Sequence, residues 1–321
     1  SARLEIFMLE LKSISFSYGP NQVFDGLSHQ FNEGEITSVV GASGIGKSTL
    51  FALLSGKEQP WAGRGFIEDT DLTPMPASIR PVITMFQQES LFPHMNVYEN
   101  IRFPLISKYN KARFKGIHHK EYIAQKLNEV NLNGFEKRFP ETLSGGQKQR
   151  VTLARSIAAK PKILLLDEPF SALNEELKYR LNNELRDIVR TNNIIALKIT
   201  HDIFEALNFS DNILYLGTDI SFLFKTSELD TLKAPAEVVE YMNLGLLSYD
   251  KSCYFPLEKL NETSGKISFE CEILTLIKRG GLVEYTLSHN GQTFKYFSEN
   301  EKNKKIVLYA TDLDKIPTET T

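Results

Sequence analysis

Three short runs in this chain carry residue types and spacings suited to phosphate chemistry. The first, Gly41-Ala42-Ser43-Gly44-Ile45-Gly46-Lys47-Ser48-Thr49, fits a glycine, four free positions, then Gly-Lys-Ser. Gly44 and Gly46 let the backbone curl so that successive N–H groups, with Gly41 and Ser43 in the same loop, turn inward toward an anion. Lys47 would reach the β- and γ-phosphates of a nucleotide, the Ser48 hydroxyl would ligate Mg²⁺, and Thr49 would add a hydroxyl near the α-phosphate. The second run, Ile163-Leu164-Leu165-Leu166-Asp167-Glu168-Pro169, is an apolar strand ending in two carboxylates. Asp167 is then a candidate Mg²⁺ ligand and Glu168 a candidate for orienting and polarising an attacking water. Alone, Asp-Glu after a strand reads as an ordinary helix N-cap; beside a phosphate loop it reads as catalytic. The third run, Leu143-Ser144-Gly145-Gly146-Gln147-Lys148-Gln149-Arg150, places a serine and two glycines ahead of a helix and makes a second phosphate-facing nest.

These runs need elements to hold them. Leu11, Ile14, Phe16 and Tyr18 alternate with polar residues before a turn at Gly19-Pro20-Asn21, as antiparallel strands do. Ile36 to Val40 reads as the strand feeding the glycine loop, and Leu50 to Leu54 as the helix leaving it, ending near Ser55-Gly56. From about Glu89 to Thr142 the pattern is helical, broken by Pro93 and Pro104, with a polar, partly basic tract from Lys108 to Lys120 that reads as a solvated face. Ile163 to Leu166 suits a strand buried on both faces; Leu177, Leu181, Leu185, Ile188 and Val189 recur at helical spacing; Ile194 to Ile199 and Ile213 to Leu216 are further apolar strands. Strands alternating with helices predict an α/β fold with a mostly parallel sheet, an antiparallel β subdomain and a helical subdomain. After a short helix expected at Pro235 to Val239, alternation at Ile267 to Ile273 and Val283 to Leu287, and a hairpin at His289-Asn290-Gly291-Gln292, predict a small all-β domain. The expected division is 1–234 and 235–321.

Composition narrows the function. The 321 residues carry 37 Lys plus Arg against 40 Asp plus Glu, a net charge of -3, which disfavours a dedicated duplex nucleic-acid binder. Cys253 and Cys271 are too few for a disulfide framework and fit a reducing compartment. The apolar runs are far shorter than the roughly 18 to 20 residues that cross a bilayer. Ser1 to Phe7, ahead of Met8, reads as an appended segment rather than a leader.

The Leu-Ser-Gly-Gly-Gln run, in order with the glycine loop and the Asp-Glu strand, resembles the ATP-binding-cassette ATPases. The resemblance covers roughly Leu9 to Leu232 and implies a P-loop fold, ATP and Mg²⁺. It also implies two chains sandwiching two nucleotides, each held between one chain's P-loop and the other's Ser144, Gly145, Gly146 and Gln147. Tyr18 is similar to the aromatic that stacks on adenine. Gln87, within Phe86-Gln87-Gln88, resembles the glutamine joining Mg²⁺ and attacking water to the helical region, and His201 resembles the histidine that contacts the γ-phosphate. Asn174 stands where the family usually has Asp, and Leu214 to Asp219 is not followed by the usual second glycine turn. About 120 residues separate Lys47 from Asp167, leaving no room for a coiled-coil insertion. With Leu91-Phe92-Pro93-His94 and the appended β domain, the chain resembles the ATPase subunits of bacterial solute importers, first of the polyamine or ferric-iron type, whose C-terminal modules are OB-like. That implies a homodimer peripheral to the cytoplasmic face of the inner membrane, separate transmembrane permease subunits, a solute-binding protein upstream and no nucleic acid. The competing expectation is a soluble member of the same ATPase family acting on nucleic acid or ribosomes.

Overall fold

The computed structural model describes residues 8–86, 91–107, 110–171, 173–218 and 220–227, and the strands at 246–250, 253–256, 267–279, 282–289, 292–298 and 305–310. The chain forms two compact units, Ser1–Ser227 and Glu228–Thr321. Ser1 to Phe7, Gln87, Asp219, the helix expected at Pro235 to Val239 and the boundary expected at 234 lie outside the described residues.

The first unit opens with β1 (Met8–Tyr18) and β2 (Asn21–Asn32), paired antiparallel from Met8↔Asn32 to Tyr18↔Asn21. Leu9, Leu11, Ile14 and Phe16 are buried while Lys12 and Tyr18 are exposed, the alternation expected of a half-covered sheet. Then come β3 (Ile36–Gly41), α1 (Lys47–Ser55), β4 (Ala62–Ile67), β5 (Thr70–Asp71) and β6 (Val82–Met85). The helical region holds α2 (Val97–Arg102), a 3-10 turn at Phe103–Ile106, and α3 (His119–Glu129). It is followed by α4 (Gly145–Ala158), β7 (Ile163–Asp167), α5 (Glu175–Thr191), β8 (Ile195–Ile199), α6 (Ile203–Phe209), β9 (Asn212–Leu216) and β10 (Ser221–Lys225).

Two sheets result. One is antiparallel, in the order β2-β1-β4-β5; the other runs β10-β9-β3-β8-β7-β6 and is parallel except for β10. Strand β7 illustrates why a continuous apolar run is needed at the centre. Leu164 and Leu166 join a core with Val97, Ile123, Val151 and Leu185 of the helices, whereas Ile163 and Leu165 join one with Leu50 of α1 and Phe16 of β1. The basic tract proves partly structural, because Arg113 Nη2 donates to Lys160 O at 2.8 Å, just past the end of α4, where the nearby Tyr122 Oη also donates to Ala158 O at 2.9 Å.

In the second unit, β11 (Leu246–Asp250) and β12 (Cys253–Pro256) pair as a hairpin. β13 (Ile267–Arg279), β14 (Leu282–His289), β15 (Gln292–Ser298) and β16 (Lys305–Ala310) form an antiparallel sheet in the order β15-β14-β13-β16. His289 pairs with Gln292 across the expected turn. The OB-like closure expected of this domain depends on connections that lie outside the described residues.

Candidate active site

Parallel pairing delivers the expected residues to one edge. Val39 of β3 pairs with Ile199 of β8, and Ile199 pairs with Asp167 of β7, so the glycine loop, Thr200-His201 and Asp167-Glu168 leave the carboxyl ends of three adjacent strands. Met85, ending β6, pairs with Leu166, so β6 ends at the same edge.

The glycines of the loop are required by geometry. Gly41 has φ 150°, and a Cβ there would lie 2.3 Å from Leu216 O; Gly46 has φ 114°, and a Cβ there would lie 2.6 Å from Val23 Cγ1. Gly46 is also the N-cap of α1, with no capping side chain and no acidic residue in the first turn. The N–H groups at that helix end are therefore open to an anion, and the loop fits a phosphate chain. Lys47 is buried beneath it, its Nζ donating to Gly41 O and Ala42 O at 2.8 Å each. Burial draws this ammonium below its usual pKa, opposed by the charges of Glu168 and Asp167, so the lysine stands in the field of both carboxylates. Ser43, Gly44 and Ser48 are exposed and Thr49 is half-buried.

Burial and neighbouring Glu168 push the carboxyl of Asp167 above its usual range, against the opposing pull of His201, Lys47 and Lys57. A carboxylate so placed would gain from a divalent cation, and the Ser48 hydroxyl, on the loop leaving the same sheet edge, could offer a second hard oxygen of the kind Mg²⁺ takes together with phosphate oxygens. Among the described residues no group of three or more His, Cys, Asp or Glu is placed to hold a metal ion. Glu168 lies in the left-handed region at φ 47°, a sparsely populated conformation for a residue with a side chain. Its Oε1 meets His201 Nε2 at 2.5 Å.

Tyr18 is 48% exposed at the end of β1, edge-on to Phe16 at 4.8 Å. Phe16 pairs with Phe24, and Val23 and Phe24 are the side chains against Gly46, so the tyrosine lies one step along the hairpin from the glycine loop. Ser144 and Gln147 form a reciprocal capping box, Gln147 N donating to Ser144 Oγ at 3.4 Å and Ser144 N to Gln147 Oε1 at 3.0 Å. Ser144 and Gly145 are exposed, and among the described residues neither Ser144 nor Gln147 bonds to the Gly41–Thr49 loop. Gly146 is buried because a Cβ there would lie 2.6 Å from Leu177 Cδ2 of α5. Asn174 caps α5, its Oδ1 accepting from Leu177 N at 2.9 Å. Sequence reasoning missed Lys198, which lies buried inside β8; its one signal is a charge within an apolar strand.

Comparison with known proteins identifies the family. A family profile described as ABC transporter matches residues 24–171. The chain is 40% identical over 214 residues to the spermidine/putrescine import ATP-binding protein PotA of Mesoplasma florum, covering 67% of this chain and 60% of that one. It is 42% identical to the putrescine transport ATP-binding protein PotG of Escherichia coli, covering 65% of this chain and 55% of that one. With PotA of Mannheimia succiniciproducens it shares 33% identity over 310 residues, 94% of this chain and 80% of the relative. A solved ATP-binding cassette of an ABC transporter in its ADP conformation superposes with a TM-score of 0.63 at 24% identity, covering 73% of this chain and 98% of that one.

Proposed function

This chain belongs to the ABC transporter ATP-binding proteins, and from that premise we propose that it hydrolyses ATP to drive import of a polyamine through separate membrane subunits. The observation that carries the reading is the meeting of Lys47, Asp167, Glu168 and His201 at one sheet edge, with Glu168 and His201 2.5 Å apart. The polyamine class rests on the names of the similar PotA and PotG proteins. Those names specify import or transport, which does not favour the nucleic-acid or ribosome reading. No helix among the described residues is long and apolar enough to cross a membrane.

Phosphoryl transfer to water is mostly positioning and electrostatics, and the roles divide accordingly. The N–H groups around Ser43, Gly44 and Gly46, and of Lys47, Ser48 and Thr49, cradle the phosphates. Lys47 exchanges the Gly41 and Ala42 carbonyls for β- and γ-phosphate oxygens. Ser48 and Asp167 would hold Mg²⁺, joined by Gln87 if the family resemblance carries over to it, and the ion would supply positive charge to the phosphate oxygens. Glu168 orients the attacking water and accepts its hydrogen bond, while His201 steadies Glu168 and faces the γ-phosphate. Tyr18 offers a flat exposed ring to adenine. Ser144, Gly145, Gly146 and Gln147 face the nucleotide of a second copy of the chain, the arrangement that the family resemblance implies; among the described residues Ser144 and Gln147 bond to each other and not to the Gly41–Thr49 loop. ATP stabilises the paired state and its hydrolysis releases it, which is the differential affinity needed to move a membrane partner.

The test is ATP turnover by purified wild-type chain and Glu168→Gln. The account expects unchanged nucleotide affinity and a kcat lower by about 10² to 10⁴ in the variant. Equal turnover by the two proteins would remove Glu168 from its role.

A further inference from the structure

His201 has 56% of its side chain exposed, so packing alone does not fix its ring; its contact with Glu168 depends on where the backbone on either side holds the residue. That backbone is tied to a buried charged network. Lys198, 2% exposed, lies in β8 between the buried residues Leu197 and Ile199. Its Nζ donates to Asn182 Oδ1 of α5 at 2.5 Å and to Glu205 Oε1 of α6 at 2.7 Å, and lies 5.5 Å from the centre of the Phe170 ring, two residues beyond Glu168. Asn182 Nδ2 also donates to Glu205 Oε1, at 2.8 Å. The other carboxylate oxygen, Glu205 Oε2, accepts from Thr200 Oγ1 at 2.6 Å. The backbone N–H of Glu205 donates to Asp202 Oδ1 at 3.0 Å, and Asp202 N–H donates in turn to Thr200 Oγ1 at 3.1 Å.

Thr200 and Asp202, the residues on either side of His201, are thus both bonded to Glu205 and to each other. Lys198 neutralises Glu205 and anchors it to α5 and, through Phe170, to the segment that carries Glu168. Such a network is poorly explained by stability, since apolar residues of similar volume often replace a buried ion pair without loss. What a hydrogen-bonded charge pair adds is one preferred geometry.

We propose that Lys198 and Glu205 are positioning residues, holding Thr200-His201-Asp202 so that the His201 ring meets Glu168. The proposal rests on the reading of the chain as an ATPase, and its test separates the two. Glu205→Gln keeps the shape and weakens the pair; the double variant Lys198→Met with Glu205→Leu replaces the pair by apolar side chains and carries the test should the single variant fold poorly. Two quantities are measured on folded protein: steady-state ATP turnover, and the ring ¹⁵N resonances of His201 in histidine-labelled chain. Those resonances are identified among the six histidines by their absence from His201→Ala. Both variants are expected to lose about tenfold in kcat with KM for ATP within about twofold, and to show displaced His201 resonances. Wild-type turnover, or His201 resonances left in place, overturns the proposal. If the unmodified chain turns over no ATP, the functional reading falls, and the resonances alone then decide whether Lys198 and Glu205 position His201.

Discussion

Glu168 and His201 are 33 residues apart in sequence, and their contact at 2.5 Å exists because β7 and β8 are parallel neighbours ending level with each other. Glu168 was legible only beside the glycine loop, and His201 only through the family resemblance; the contact between them was not legible. Lys198 was less legible still, because five of the six residues from Ile194 to Ile199 are apolar and the run reads as strand whether or not one member is charged. Its partners come from α5 and α6, so only the tertiary structure reveals that the charge is satisfied. His29 is a second residue whose behaviour depends on the fold. It lies on β2, and its Nε2 meets Ser221 Oγ of β10 at 2.8 Å, joining the two sheets. Burial lowers its pKa from 6.5 to about 4. Between those values the unfolded chain binds a proton that the folded chain does not. The stability contributed by neutral His29 is therefore complete above pH 6.5 and is lost as pH falls toward 4, by at most about 3 kcal/mol. Denaturant unfolding of wild type and His29→Gln across this range checks it. The wild type is expected to weaken more steeply on acidification, and parallel curves would contradict the assignment.

Elements were read most securely where local chemistry and periodicity agree. The helix after the glycine loop was expected to end near Ser55-Gly56, and α1 does, with Gly56 in the left-handed cap conformation. The strand before Asp167 was expected at Ile163 to Leu166 and extends by one residue, so that Asp167 is held by the sheet itself. Asn174 was visible as a departure from the family pattern, and the structure supplies its local role as the cap of α5. An amide keeps the acceptor that the Leu177 N–H needs while giving up a charge. Asn174→Ala should therefore lower stability by about 1 kcal/mol, and Asn174→Asp should match or slightly exceed wild type, since a carboxylate also favours a helix N-terminus. Thermal unfolding of the three proteins checks both expectations. The packing of Gly146 against Leu177 follows from the same pair of helices. A methyl group there would press on Leu177 at 2.6 Å, so Gly146→Ala should lower stability by about 1 kcal/mol as well as crowd the proposed phosphate-facing end of α4. An unaltered melting curve for that variant would show that Leu177 yields freely.

At the scale of the molecule, the first unit accounts for the site, and its likeness to a solved ATP-binding cassette is one of fold. The second unit was legible as β structure from alternation and one turn, and its strands do pair antiparallel. Its task was not legible, because hydrogen-bonded ladders specify register and not a ligand. The proposed pairing of two chains was equally beyond the fold of one: Ser144 and its neighbours read as a phosphate nest, and among the described residues Ser144 and Gln147 bond to each other rather than to the Gly41–Thr49 loop. A site completed by a second copy has a kinetic consequence that a self-contained site lacks. Turnover per chain should follow the fraction of paired chains, so wild-type protein assayed with saturating ATP over a dilution series, with the paired fraction measured at each step by sedimentation, tests the central claim most directly. The account predicts that turnover per chain falls toward zero as the chains separate. Undiminished turnover by fully separated chains would contradict it.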